Sequence, residues 1–183
     1  MKLIIEKYQD SIPISNKIKR KLWLIFYYIL FRPFSGKIFI KWRNFVLIIF
    51  GAKIGRGSII YSSAKVLCPW LLIVGDNSCI GPNVKFHIDK TIIGSKVTIS
   101  QGTYLCSGSH DISFLNTPFI SKPIIVEDFA WVAAECFIMM GVTVGKGSVV
   151  GARSSVFKNV DPWSIVGGNP AKFIKKRIIN DEY

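Results

Sequence analysis

The sequence predicts an all-β solenoid: a parallel β-helix of about five triangular coils, entered through a basic helical segment and closed by a short C-terminal helix. Three observations carry that expectation. An aliphatic residue recurs every sixth position through most of residues 54–161, one long interruption of the beat falls at residues 111–125, and the excess positive charge is confined to the two ends. A six-residue beat matches neither the roughly 3.6-residue period of a helix nor the strict alternation of a surface strand. It suits a short strand and a turn, repeated three times per coil.

The first segment, residues 1–53, holds 11 basic and 2 acidic residues. Within it, "KIKRKLWLIFYYILFRPFSGKIFIKWRNFVLIIFGAKIG" mixes cations with aromatic and aliphatic residues. That pattern fits one or two amphipathic helices lying against the solenoid end or on an anionic membrane face, so residues 1–50 are a candidate peripheral membrane contact, with packing on the coil the other reading. The longest apolar run, "LWLIFYYILF", spans only ten residues from Leu22 to Phe31, well short of the roughly 20 a bilayer-crossing helix needs. The start, "MKLIIEKYQD", reaches Glu6 and Asp10 too soon for a cleavable signal peptide.

Residues 54–171 carry the repeat, with 9 basic and 7 acidic residues. The hexads read "IGRGSI", "IYSSAK" and "VLCPWL" in the first coil, "VGDNSC", "IGPNVK" and "FHIDKT" in the second, and "IGSKVT", "ISQGTY" and "LCSGSH" in the third. After the interruption come "VEDFAW", "VAAECF" and "IMMGVT", then "VGKGSV", "VGARSS" and "VFKNVD". The leading Ile or Val is expected to point inward, as is the often small residue four later (Ser58, Ala64, Ser78, Ala130, Ser148, Ser154). The frequent glycine at the second position is expected to permit a tight corner. A solenoid tolerates insertions at its corners and collects them on its binding face, so residues 111–125, with Pro118 and Pro123, read as an acceptor loop.

Residues 172–183 hold 4 basic and 2 acidic residues, and "KFIKKR" reads as a basic helix end. Four cysteines without CxxC or CxxH spacing point to a reduced, cytoplasmic setting, on the inner face of the membrane if the first segment docks there. No nucleic-acid motif accompanies the positive charge, which argues against a nucleic-acid partner. The chain has two histidines, too few for a three-histidine metal centre, so no metal is expected.

With those motifs in view, the hexads resemble the left-handed β-helix of the hexapeptide-repeat acyltransferases. Residues 93–177 resemble the sugar O-acetyltransferases within that family, including the maltose and galactoside group and, most closely, the enzymes of colanic-acid and exopolysaccharide biosynthesis. The resemblance rests on "FGAKIG", "YLCSGSHD", "KPIIVEDFAWVAA", "GVTVGKGSVVGARSSVFKNV" and "GNPAKFIKKR". It implies transfer of an acetyl group from acetyl-CoA to a hydroxyl of a sugar or oligosaccharide, in a cleft between subunits of a homotrimer. His110, just before the insertion, falls where the family places its general base, and an imidazole titrating near neutrality suits a hydroxyl nucleophile.

Asp111 is a candidate to orient that ring, although neighbouring side chains of an extended chain point opposite ways. His87, at the corner of an earlier coil, and Asp89 beside it are candidates for the acceptor cleft. On the donor side, the resemblance places Trp131 beside the pantetheine arm, the Ala134 amide near the thioester carbonyl and Ala152 along the same groove. Lys158, Lys172 and Lys175 fall where the family sets cations against the CoA phosphates. The "WVA" here departs from the commoner "WIG" of the family. Two other readings stay open: acetylation of an antibiotic or an amino-sugar amine, and a catalytically silent solenoid.

Overall fold

The computed structural model describes residues 13–180; the first twelve residues of the N-terminal segment and residues 181–183 of the tail lie outside the described residues. Helix α1 (Ile14–Phe26) runs into a wider helical turn over Tyr27–Phe31, and helix α2 (Ile40–Ile49) follows a short tight turn at Lys37–Phe39. The coil then begins at Lys53–Ile54.

Parallel strands stack on three faces. The first face orders Lys53–Ile54, Leu72–Val74, Thr91–Ile93, Ile124–Val126 and Thr143–Val144, and Val160 bridges to Val144 above them. The second face runs from Ile59–Ile60 to Ser164–Gly168, and the third from Lys65–Val66 to Ser155–Val156. The result is a left-handed β-helix of about six turns.

The hexad positions explain the triangle. Leading residues such as Ile80, Ile99, Leu105, Val132 and Val150 are fully buried, each worth roughly 1.5–3 kcal/mol over exposure. The fifth positions pack inward as expected, and their hydroxyls bond between coils. Ser58 Oγ donates to Gly75 O at 2.6 Å and accepts from Ser78 N at 2.9 Å, and Ser78 Oγ repeats the pattern with Gly94 O and Val97 N.

The second-position glycines have a different cause from the one the sequence suggests. Backbone with φ near +60° sits at the fourth position, on Gly57, Asn77, Lys96, Phe129, Gly147 and Trp163. At the second position the constraint is crowding by the next coil: a Cβ on Gly55 would lie 2.5 Å from the Gly75 carbonyl carbon, and one on Gly145 would lie 2.6 Å from Val160 O.

Two further expectations are corrected. The coil count rises from five to about six because the last hexad is cut short: Val160, two residues early, pairs with Val144 and starts another partial turn. The C-terminal helix is instead a strand, Ala171–Lys176, antiparallel to Ser164–Gly168. The final parallel strand leaves an open edge of backbone donors and acceptors, and the tail satisfies it. Arg177 then ties the tail down, donating from its guanidinium to Phe129 O and Gly147 O.

At the other end the two helices cap the first rung with side chains. Trp23 Nε1 donates to Val66 O at 2.6 Å, Asn44 Nδ2 to Ser58 O at 2.8 Å and Arg43 Nε to Ile60 O at 2.8 Å. Arg43 also donates to Phe34 O and Gly36 O at 2.8 and 2.9 Å, holding the inter-helix turn. It is only 3% exposed, and burial lowers its pKa. Arg43→Met keeps the aliphatic bulk but strands three carbonyls, so it is expected to cost roughly 3 kcal/mol, read as a drop in thermal midpoint; an unchanged midpoint would mean that water replaces the guanidinium without loss.

Candidate active site

The chain leaves the coil after the third rung of the third face, earlier than Asp111. Gly108–His110 pairs antiparallel with Phe119–Ser121, so the insertion is a hairpin in which His110 stands opposite Phe119. Its base is closed by Lys122 N donating to Ser107 O at 3.1 Å, and the coil resumes when Ile124 N donates to Lys90 O at 3.0 Å. Gly108 is required for close approach. A Cβ there would sit 2.6 Å from the Phe119 ring and 3.1 Å from His87 Nδ1.

His110 is exposed and packs edge-on against Phe119, with centroids 5.8 Å apart. Its Nδ1 lies 2.7 Å from Thr117 O. A carbonyl can only accept, so Nδ1 carries the proton and the basic lone pair falls on Nε2. The group that fixes the tautomer is therefore a backbone carbonyl of the hairpin. The Asp111 carboxylate caps its own turn, accepting from Ser113 N at 3.0 Å and Ser113 Oγ at 2.5 Å, and these bonds lower its pKa.

His87 lies one coil below the hairpin root, half-buried, with its ring edge-on to Tyr104 at 5.9 Å. Its Nδ1 is buried without a hydrogen-bond partner among the described residues. Burial, and secondarily the charge of Arg20 on α1, lowers its pKa. Asp89 supports the root of the hairpin through its backbone: its N–H donates to Ser107 Oγ at 2.8 Å, while its Oδ1 accepts from Lys90 N at 2.6 Å. The structure thus sets His87, Asp89 and the root of the hairpin that carries His110 at the corner between the third and first faces.

The donor-side candidates lie at another corner. Trp131 opens a strand of the second face, 46% exposed, with Nε1 donating to Ser100 Oγ at 3.0 Å. Ala134 and Ala152 follow at the corner between the second and third faces, one rung apart, tied by Arg153 N donating to Ala134 O at 2.8 Å. Lys158 and Lys172 meet in a hollow of about 370 Å³ at the coil end, shared with Phe157, Asp161 and Phe173. Lys175 is not in that lining; it stands opposite Ile165 across the terminal strand pair.

Sequence reasoning did not single out Thr117, Phe119, Gly108, Ser107 or Ser100. Thr117 acts through its carbonyl, which no side-chain pattern reveals, whereas Gly108 in "SGSH" was readable as a point of close approach. Among the described residues no group of three or more His, Cys, Asp or Glu is placed to hold a metal ion.

A left-handed coil of hexads, interrupted once by a hairpin that presents an imidazole with its Nδ1 tied down, defines the hexapeptide-repeat class of acyltransferases. The chain is 40% identical over 165 residues to WcaF of Escherichia coli K12, assigned as an acetyltransferase of colanic acid biosynthesis, covering 90% of each chain. It belongs to the hexapeptide-repeat acetyltransferases. No established family profile matches it. In fold it matches a hexapeptide-repeat acetyltransferase of Vibrio cholerae, solved with acetyl coenzyme A, at TM-score 0.82 and 24% identity, covering 93% of each chain. A maltose O-acetyltransferase of Clostridium difficile 630 matches at TM-score 0.75 and 20% identity, covering 91% of this chain and 90% of that one.

The half-buried His87, whose Nδ1 has no hydrogen-bond partner among the described residues, makes a pH prediction. Its folded pKa lies below the ordinary imidazole value of about 6.5, so the unfolded chain binds protons first and stability is lost as pH falls below that value toward the depressed folded one. His87→Phe should flatten the stability-pH curve over that window in chemical denaturation; an identical slope in the variant would remove His87 as its source.

Proposed function

We propose that the protein is an O-acetyltransferase that moves the acetyl group of acetyl-CoA to a hydroxyl of a sugar or oligosaccharide in surface-polysaccharide assembly. The observation that carries the reading is the His110 geometry: Nδ1–H spent on Thr117 O, with Nε2 the basic nitrogen, on the hairpin that interrupts the coil. In the reaction, Nε2 takes the proton of the acceptor hydroxyl as its oxygen bonds the acetyl carbon. The carbon–sulfur bond then breaks and Nε2 returns the proton to the departing sulfur. His87 and Asp89, rooted beside the hairpin, line the acceptor side, and Asp111 holds the turn that carries the base.

The same reading gives the donor side to the other corner. The Ala134 amide faces the developing negative charge on the thioester oxygen, an interaction whose loss typically costs about 10²–10³ in turnover. Trp131 and Ala152 flank the pantetheine arm. The phosphates meet Lys158 and Lys172 in the terminal hollow and Lys175 on the adjoining strand.

These two corners sit at opposite edges of the third face, so one chain does not close the site around both substrates. A file of aromatic rings, Tyr104, Phe137 and Phe157, runs along that face, with centroids 5.6 and 6.2 Å apart, and Phe157 is 52% exposed. Such a surface supports a homotrimer in which the third face of one subunit lies against a neighbour and brings His110 of one copy to the alanine corner of the next. The enzyme would work in the cytoplasm, with residues 1–50 meeting the inner face of the membrane; no described helix is long and apolar enough to cross one.

Turnover is tested by thiol release from acetyl-CoA over a panel of nucleotide sugars, oligosaccharides and amine acceptors. His110→Ala should lower kcat by about 10²–10⁴ while fold and CoA binding persist, and changing Lys172 and Lys175 together to Ala should instead raise the acetyl-CoA KM. A His110→Ala enzyme with more than about a third of parental turnover sinks the base assignment. Assembly is tested by sedimentation: a trimer is expected, and an active monomer overturns the shared site.

A further inference from the structure

Helix α1 and the wider turn Tyr27–Phe31 that continues it are apolar on two opposite sides. One side, Trp23, Tyr27 and Phe31, is buried against the coil end. On the other, Ile14, Ile18, Leu22, Ile25 and Ile29 follow helical spacing and are all more than half exposed, from 51% at Leu22 to 74% at Ile14. Helix α2, with the tight turn Lys37–Phe39 before it, repeats the arrangement. Arg43, Val46 and Leu47 face inward, while Ile38, Trp42, Phe45 and Ile49 are exposed at the matching spacing. The helices are joined into one cap, since Trp42 Nε1 donates to Leu30 O at 2.8 Å and Arg43 to Phe34 O.

Charge indicates what covers this surface. Residues 13–53 contain nine Lys or Arg and no Asp or Glu. A second copy seated on the cap would set like charge against like charge, whereas an anionic lipid surface takes up both the apolar stripes and the cations. Between α1 and the first rung of the third face lies a hollow of about 420 Å³. Lys17, Arg20, Lys21 and Lys65 rim it over Trp23 and Tyr27, an amphipathic lining suited to a lipid headgroup phosphate.

We infer that the two-helix cap is an interfacial docking element for an anionic bilayer, the exposed stripes entering the headgroup layer and the basic hollow beneath α1 seating a lipid phosphate. This deepens the membrane part of the proposed function and is independent of the acetyl-transfer step. It also sets the acceptor corner near the lipid surface. Leu67, on the wall of the hollow, bonds through its N–H to Phe86 O, and His87 is the next residue on that second rung. His87 N in turn bonds Leu105 O on the rung from which the His110 hairpin departs, two rungs or about 10 Å above the hollow.

The test is flotation of the full-length protein with vesicles of phosphatidylcholine alone or mixed with phosphatidylglycerol. Binding to the mixed vesicles only, weakening as salt is raised, is expected. Leu22→Glu with Ile25→Glu, at exposed sites and with an unchanged thermal midpoint, should reduce binding at least about tenfold, because each side chain loses an apolar burial. Lys17→Gln with Lys21→Gln should reduce it on the mixed vesicles. The glutamate variant should keep parental turnover on a water-soluble acceptor, so inactivity of the parent itself would count against acetyl transfer and leave the docking result standing. Equal binding to neutral vesicles, glutamate-variant binding equal to the parent's, or an oligomer that dissociates when the stripe is charged would overturn the inference, the last by assigning the face to another copy of the chain.

Discussion

A stack of parallel rungs has two ends, and each end exposes backbone donors and acceptors that nothing within the stack can satisfy. This chain meets the constraint differently at each. The first rung is capped by side chains, with Trp23, Asn44 and Arg43 supplying four donors' worth of geometry from a helical cap to the carbonyls of Val66, Ser58 and Ile60 and to the inter-helix turn. The last rung is capped by backbone, through the strand Ala171–Lys176. A buried guanidinium with no acidic partner among the described residues of its segment is tolerable because carbonyl dipoles surround it, and the desolvation shows in its lowered pKa. The helices are thus part of the solenoid's hydrogen-bond network, and any outward role they have is played by their opposite face.

The insertion obeys the same ladder. It departs between Ser107 and Lys122, whose backbone groups bond one another, and the next strand re-enters on Lys90 O, so the rungs above and below keep their alignment. Because the hairpin is antiparallel and only three residues deep on each side, His110 is held by a regular pair with Phe119 and by the Thr117 carbonyl. The imidazole is thus oriented by a backbone carbonyl at Nδ1 and by the Phe119 ring beside it.

Much of the fold was legible because the hexad is a direct image of the cross-section: one inward aliphatic per face and one small inward residue per corner. What was illegible had specific causes. The terminal strand was read as a helix because "KFIKKR" lacks any alternation that separates the two, and only the open edge beside Ser164–Gly168 decides it. The final coil was missed because Val160 arrives two residues early. The second-position glycines were legible as necessary, but their reason, the stacked turn of the next coil, is invisible along a single chain. At the site, the presence of an insertion could be read, but its hairpin starts at Gly108 instead of Asp111, and the Thr117 carbonyl and the partnerless nitrogen of His87 depend on three-dimensional neighbours.

The buried serines have a consequence for folding fidelity. Six nearly identical rungs offer a chain many ways to assemble with one coil skipped or doubled, since any aliphatic lead fits any other. The fifth-position column on the first corner runs Ser58, Ser78, Val97, Ala130, Ser148, Ser164, with hydroxyls at both ends and apolar residues between. A one-rung slip would set Val97 where Ser78 now satisfies Gly94 O and the Val97 amide, leaving polar backbone groups dry. The column therefore marks the middle rungs off from both ends, and a repetitive sequence acquires a fixed reference from which to count itself.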